Sequence, residues 1–136
     1  MRKVRFAKPS DYGKFSELWK EYKERKMHGI APVFDEAKFT EEADSSIIIC
    51  IDESDAIVGL MNIGDVGGGT VKIFDWYAEN DCFEIEAEML KYVEDIAKEL
   101  EFKRLMFWNF DHSEDCKLAH HHFRCVGATD EFEKLI

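Results

Sequence analysis

Two spacings of apolar residues alternate along this chain. At the helical period, Ile85, Met89, Tyr92, Val93, Ile96 and Leu100 form one stripe and predict a long helix. Directly before it, Thr70 to Ala78 is a dense run of β-branched and aromatic residues, which predicts a central strand. Glu79-Asn80-Asp81-Cys82-Phe83 is the polar turn between them. Upstream, Val4 to Ala7 is a short strand stopped by Pro9. Tyr12, Phe15, Leu18, Trp19 and Tyr22 then line one face of a helix that Ser10 or Asp11 can cap. That helix ends near Met27, because His28-Gly29-Ile30-Ala31-Pro32 is turn chemistry. Asp35 to Ala43 reads as a second, shorter helix with Asp35 near its start. The run Ser46 to Ile51 has the continuous apolar character of a strand buried on both faces. Ala56 to Ile63 is its return strand in an antiparallel hairpin, across the polar turn Asp52 to Asp55.

Past the long helix, Arg104 to Phe110 predicts another strand. Asp111 to Asp115 starts a helix reaching about Cys125, which Gly127 stops, and Ala128 to Ile136 supplies a last strand with Phe132 and Leu135 as its apolar residues. The order is β-α-α-β-β-β-α-β-α-β. It implies a mixed α/β (α+β) fold, with a mostly antiparallel sheet, helices packed on both faces and one β-α-β crossover. Without a linker, a repeat or a low-complexity run, residues 1–136 read as a single domain. Gly67-Gly68-Gly69 is not a phosphate loop. Such a loop follows a strand and opens a helix, whereas these glycines lead into a strand and suit a turn between antiparallel strands.

Composition narrows the class. The chain has 136 residues, 46% hydrophobic and 13% aromatic, enough for a core without metals or disulfides. The net charge of −11 argues against nucleic-acid partners, which need clustered Lys and Arg. No run reaches the roughly 18 to 20 apolar residues of a membrane helix, so no membrane partner is expected. The first residues, Met1 to Phe6, are basic but have no apolar segment behind them. Together with four widely spread cysteines, this points to reduced thiols and a cytoplasmic location.

Several phrases resemble the GCN5-related N-acetyltransferase (GNAT) superfamily. Val4-Arg5-Phe6-Ala7-Lys8-Pro9-Ser10-Asp11, running into an amphipathic helix, looks like its first strand and helix. The strands around Ile47–Ile51 and Ile57–Ile63, with Gly59 in the second, match its strands two and three. Thr70 to Leu100 sits where the acyl-CoA motif belongs, and Ala119 to Gly127 resembles the closing helix. The resemblance implies a GNAT-like domain and an acetyl-CoA-dependent N-acetyltransferase acting on a small-molecule or protein amine. It places the cofactor against Trp76, Tyr77 and Ala78 at the strand's end and at the turn positions Glu84, Ile85, Glu86 and Ala87. The family's turn has Arg or Gln and spaced glycines there, whereas this chain has Asp81, Glu84 and Glu86. Asp81 and Glu84 have the spacing of a capping box, and Glu84, Glu86 and Glu88 put negative charge where a pyrophosphate would sit. The cofactor loop is therefore atypical. Phe123 stands at the place of the family's thiolate-protonating Tyr, and His122 is the neighbouring candidate acid.

Asp75 is the one acid inside the central strand, and burial would raise its pKa toward that of a base for an amine. His112, Cys116 and His120 share one helix face, but zinc ligands usually converge from two elements, so no metal is assigned. Two readings follow. One is an N-acetyltransferase of an unknown amine. The other is a non-catalytic GNAT-fold binding or regulatory module that has lost acetyl-CoA. A homodimer is compatible with either.

Overall fold

The computed structural model describes residues 1–26, 34–109, 113–127 and 130–136. The His28–Pro32 turn, Phe110, His112 and the start of the last strand at Ala128 lie outside these. The chain resolves into two compact units, residues 1–62 with 75–89 and residues 63–74 with 90–136. Strands are β1 (Lys3–Phe6), β2 (Ile47–Ile51), β3 (Ile57–Gly67), β4 (Thr70–Ala78), β5 (Arg104–Trp108), β6 (Arg124–Cys125) and β7 (Glu131–Leu135). Helices are α1 (Tyr12–Lys26), α2 (Glu36–Ser46), α3 (Phe83–Glu99) and α4 (Asp115–His120). The sheet order is β1-β2-β3-β4-β5-β7-β6, with β4 and β5 parallel across the α3 crossover. Among the described residues no helix is long and apolar enough to cross a membrane.

In the first unit, β2 pairs antiparallel with both β1 and β3. Period-2 alternation sends Ile47 and Ile49 into a core with Leu60, Tyr77 and the aromatic stripe of α1 and α2. Phe15 lies 4.7 Å from Phe39 and 5.4 Å from Phe34, ring centre to ring centre, so α1 and α2 lock together through aromatic edges and faces. Asp35, expected near the start of α2, is its cap, the carboxylate accepting the Lys38 N–H at 2.8 Å. Asp11 does not cap α1 by the simplest route. It reaches back to the Lys8 N–H at 2.7 Å and forms a fork with the Arg5 guanidinium. Burial pushes its carboxyl up, but those hydrogen bonds outweigh it and hold it below the usual carboxylate range.

The β2–β3 turn is tied by Asp52, whose Oδ1 accepts the N–H groups of Ser54 and Ala56. The opposite face of β2–β3 meets α3. Gly59, the partner of Cys50, lies under Ile85 and Met89, and a Cβ there would come within 2.8 Å of both side chains. The Gly67–Gly69 segment is a strand-to-strand turn, as its context predicted. Gly67, Gly68 and Gly69 all have positive φ, which only glycine adopts without strain.

The second unit departs from the expected pattern in three places. First, α4 ends at His120, and His122 follows in a left-handed turn at φ 69°, so the helix foreseen to Cys125 is instead a turn leading into the short strand β6. Second, Leu135 is 64% exposed, while Glu133 on the same strand is buried. The Glu133 carboxylate accepts two hydrogen bonds from Arg124, at 2.8 and 3.1 Å, and lies 3.8 Å from Arg104. Paired this way, a carboxylate can occupy a strand face that the apolar pattern assigned elsewhere. Third, Trp108, in the apolar run that predicts a strand over Arg104 to Phe110, is exposed, while Phe107 beside it is buried.

The close approach at Gly59 makes a direct prediction. Gly59→Ala should destabilise the fold by about 1–3 kcal/mol, because the branched Ile85 cannot retreat freely. The midpoint of urea unfolding measures it.

Candidate active site around Asp75

Asp75 lies on β4 in the first unit and is only 9% exposed. A carboxylate in the sheet needs partners, and two elements supply them. The Tyr22 hydroxyl on α1 donates to Asp75 Oδ1 at 2.8 Å, and the Asn62 side chain from β3 also hydrogen-bonds the carboxylate. Burial raises the Asp75 pKa. The Tyr22 and Asn62 hydrogen bonds and the charge of Lys38 pull the other way without cancelling it. Tyr22 is held by its ring neighbours Trp19 and Tyr77, each centred 5.3 Å away. Tyr22 first reads only as one member of the α1 apolar stripe. The available signal was its hydroxyl, which must find a partner once the ring is buried. Asn62 and Lys38 carried no comparable mark.

Two residues further along β4, Tyr77 is buried to the ring, with its hydroxyl donating to Glu21 Oε2 at 2.6 Å and accepting from Arg25 at 3.2 Å. Burial and the neighbouring Glu21 carboxylate push its pKa up to about 12. Tyr77 is thus a core residue with a tethered tip. Trp76 and Ala78 are buried as well. The described β4–β5 register ends at Ile73 and Phe107, and β4 continues through Phe74–Ala78.

The turn into α3 is not the capping box the spacing suggested. Asn80 and Asp81 both have positive φ, and the Asp81 carboxylate pairs with Lys26 at 2.9 Å and Arg25 at 3.3 Å. The helix begins at Phe83, and the Cys82 carbonyl accepts the first helical bond from the Glu86 N–H at 3.1 Å. Glu84 therefore occupies the second helical position. Its carboxylate accepts from its own backbone N–H and from the Cys82 thiol at 3.3 Å, which together hold it below the usual range. Glu86 is buried, Ile85 packs in the core and Ala87 is half-buried. Glu88 is engaged by Arg2 in a fork at 2.6 to 3.2 Å. The acidic start of α3 is as expected, but the residues that quench its charge come from α1 and the N-terminus.

His122 is exposed in the second unit, whereas Asp75 belongs to the first. Cys116 Sγ lies 3.8 Å from His120 Nδ1, and among the described residues no group of three or more His, Cys, Asp or Glu is placed to hold a metal ion. Open concavities of about 610 and 390 Å³ lie elsewhere in the first unit, and Asp75 lines neither.

The sequence matches no family model and no curated protein. The three-dimensional comparison is different. A GNAT-family acetyltransferase from Staphylococcus aureus superposes with a TM-score of 0.79 at 11% identity, covering 99% of each chain. The PaiA N-acetyltransferase of Thermoplasma acidophilum, solved with coenzyme A, gives 0.80 at 13% identity over 100% of this chain and 99% of that one. An N-acetylglutamate synthase from Neisseria gonorrhoeae, solved with coenzyme A and N-acetyl-glutamate, gives 0.81 at 12% identity over 99% of this chain and 35% of its own. The fold is that of the GCN5-related N-acetyltransferases. Within the GNAT fold, the match runs along almost the entire chain, including β4 and the α3 crossover.

The raised pKa of Asp75 has a sign that can be tested. The folded state holds this proton more tightly than the unfolded chain. Its contribution to stability is therefore fully present below the unfolded carboxyl value of about 4 and is lost as pH rises through the folded value. Asp75→Asn should melt at a higher temperature than the parent at pH 7, and the gap should close as the pH approaches about 4. Thermal melts across that range measure it.

Proposed function

We propose that the protein is an N-acetyltransferase of GNAT fold that acylates an amine, with Asp75 as the general base. The observation that carries the reading is a buried carboxylate on β4 whose proton affinity is raised by its surroundings and whose position is set by Tyr22 and Asn62. An amine attacks only when neutral, and at physiological pH most alkylamines are ammonium ions. A carboxylate with raised pKa, held in place before the ligand arrives, is suited to remove that proton. Tyr22 orients the carboxylate and supports its charged form by donating to it. The acyl group would come from acetyl-CoA, which supplies an activated thioester when bound. The Phe74–Ala78 main chain and the start of α3 are the parts of this chain that would hold it.

In an amine assay that follows thiol release from acetyl-CoA, Asp75→Asn should lower kcat/KM by about 100- to 10,000-fold. Tyr22→Phe should retain activity but move the acidic limb of the kcat/KM profile to higher pH, because removing a donor to the carboxylate raises its pKa further. An unchanged acidic limb would detach Tyr22 from the base.

A specific observation favours the second reading, a GNAT-fold binding module without acetyl-CoA. Glu84 already occupies its own amide at the start of α3, and a phosphate brought there meets carboxylates. Each like-charge contact there opposes phosphate binding. Thermal stabilisation by millimolar acetyl-CoA should therefore be small and should increase in Glu84→Gln. No shift in either protein would favour the non-catalytic module. A large shift in the parent would show that the acidic turn is no obstacle.

A further inference from the structure

On the second unit, one face of the sheet carries two large aromatic side chains in water. Phe74 is 50% exposed and Trp108 is 55% exposed, although both sit on strands of the sheet. The register explains why they are neighbours. Lys72 on β4 is opposite Met106 on β5, and Trp108 on β5 is opposite Glu131 on β7. Side chains two residues apart on a strand share a face, so Lys72, Trp108 and Glu131 converge from three adjacent strands. The Lys72 ammonium lies 5.9 Å from the centre of the Phe74 ring, 5.9 Å from that of Trp108 and 4.0 Å from Glu131 Oε1. Two aromatic faces and a carboxylate thus surround a single positive charge.

Each component selects for a cation. The ring faces carry negative electrostatic potential and attract an ammonium within about 6 Å, and the carboxylate adds a direct charge. Apolar rings left half in water also gain from contact with alkyl groups, which a lysine ammonium does not offer but an organic amine does. The protein's net charge of −11 raises the local concentration of cations in general.

We propose that Phe74, Trp108 and Glu131 form a recognition site for an organic ammonium ion, with the Lys72 ammonium as its resident occupant when no ligand is bound. The tethered lysine competes with the ligand, keeps the rings and the carboxylate in register, and is displaced toward solvent when an alkylammonium binds. That this ligand is the amine to be acetylated rests on the acetyltransferase reading above. The site itself does not.

The test uses the full chain and tetramethylammonium chloride, which no enzyme can acetylate, with sodium chloride at equal ionic strength as reference. The three tryptophans give three indole N–H signals in a nitrogen–proton correlation spectrum, and Trp108→Leu identifies its own. The Trp108 signal should shift saturably with tetramethylammonium, while those of Trp19 and Trp76 stay. Lys72→Met, which removes the occupant's charge and keeps its stem, should tighten binding by about threefold to thirtyfold, and Glu131→Gln should weaken it. A Trp108 signal that fails to saturate in Lys72→Met, or that shifts equally with sodium chloride, would overturn the proposal. Saturable binding in a protein that transfers no acetyl group would leave this site standing and remove the enzymatic reading. Amine acetylation with an unchanged KM in Trp108→Leu would show that the site serves a different ammonium ligand from the acceptor.

Discussion

The hydrogen bond from Tyr22 to Asp75 is the constraint on which the geometry around that buried carboxylate depends. It ties α1 to β4 across 53 residues of sequence, and a hydrogen bond to a charged acceptor can contribute about 1.5–3 kcal/mol. Without it, Asp75 would keep its burial penalty with less compensation. With it, the carboxylate is held in one orientation, and the rise in pKa that burial causes is partly offset. The aromatic packing of Trp19, Tyr22 and Tyr77 serves this bond, because the rings leave the hydroxyl little freedom to turn elsewhere.

The same unit handles its other charges by pairing. Asp81, which the spacing cast as a helix cap, is drawn to Lys26 and Arg25 at the end of α1. Glu88 is paired with Arg2, and the Glu84 carboxylate accepts hydrogen bonds from its own amide and the Cys82 thiol. These arrangements leave the start of α3 well satisfied in the absence of any ligand. A phosphate arriving there must displace bonds already made. Asp75, Tyr22 and Asn62, on β4, α1 and β3, take no part in these pairs.

In the second unit the electrostatics are arranged differently. Arg104 and Arg124 flank the buried Glu133, and Lys72 sits between Phe74, Trp108 and Glu131. A strand face that apolar periodicity marks as core is partly open to water and carries polar partners. Pairing buries the carboxylate of Glu133, and the Lys72 ammonium leaves the two aromatic rings in a polar setting. Both follow from strand register, which sets residues from β4, β5, β7 and β6 side by side.

Much of the architecture was legible in the residues alone. The stripe from Ile85 to Ile96, short of Leu100, which lies exposed beyond the helix, the continuous run of β2, the start of α2 at Asp35 and the glycine turn before Thr70 each express a local rule, in which period, propensity or positive φ is satisfied by a few neighbours. Asp75 could also be singled out, because an acid inside an apolar strand is a local anomaly. The partners of Asp75 could not. Tyr22 and Asn62 lie on other elements, and only the packing of α1 against the sheet brings the hydroxyl to the carboxylate. The end of α4, the Asp81 ion pairs and the exposure of Trp108 belong to the same class. Periodicity shows that a segment has two faces, but which face a neighbour covers and which charge finds a counter-charge depend on distant segments. The chain alone determined its elements and its candidate acid. The tertiary structure decided what surrounds that acid, because desolvation and hydrogen-bond partners are properties of the assembled sheet and helices.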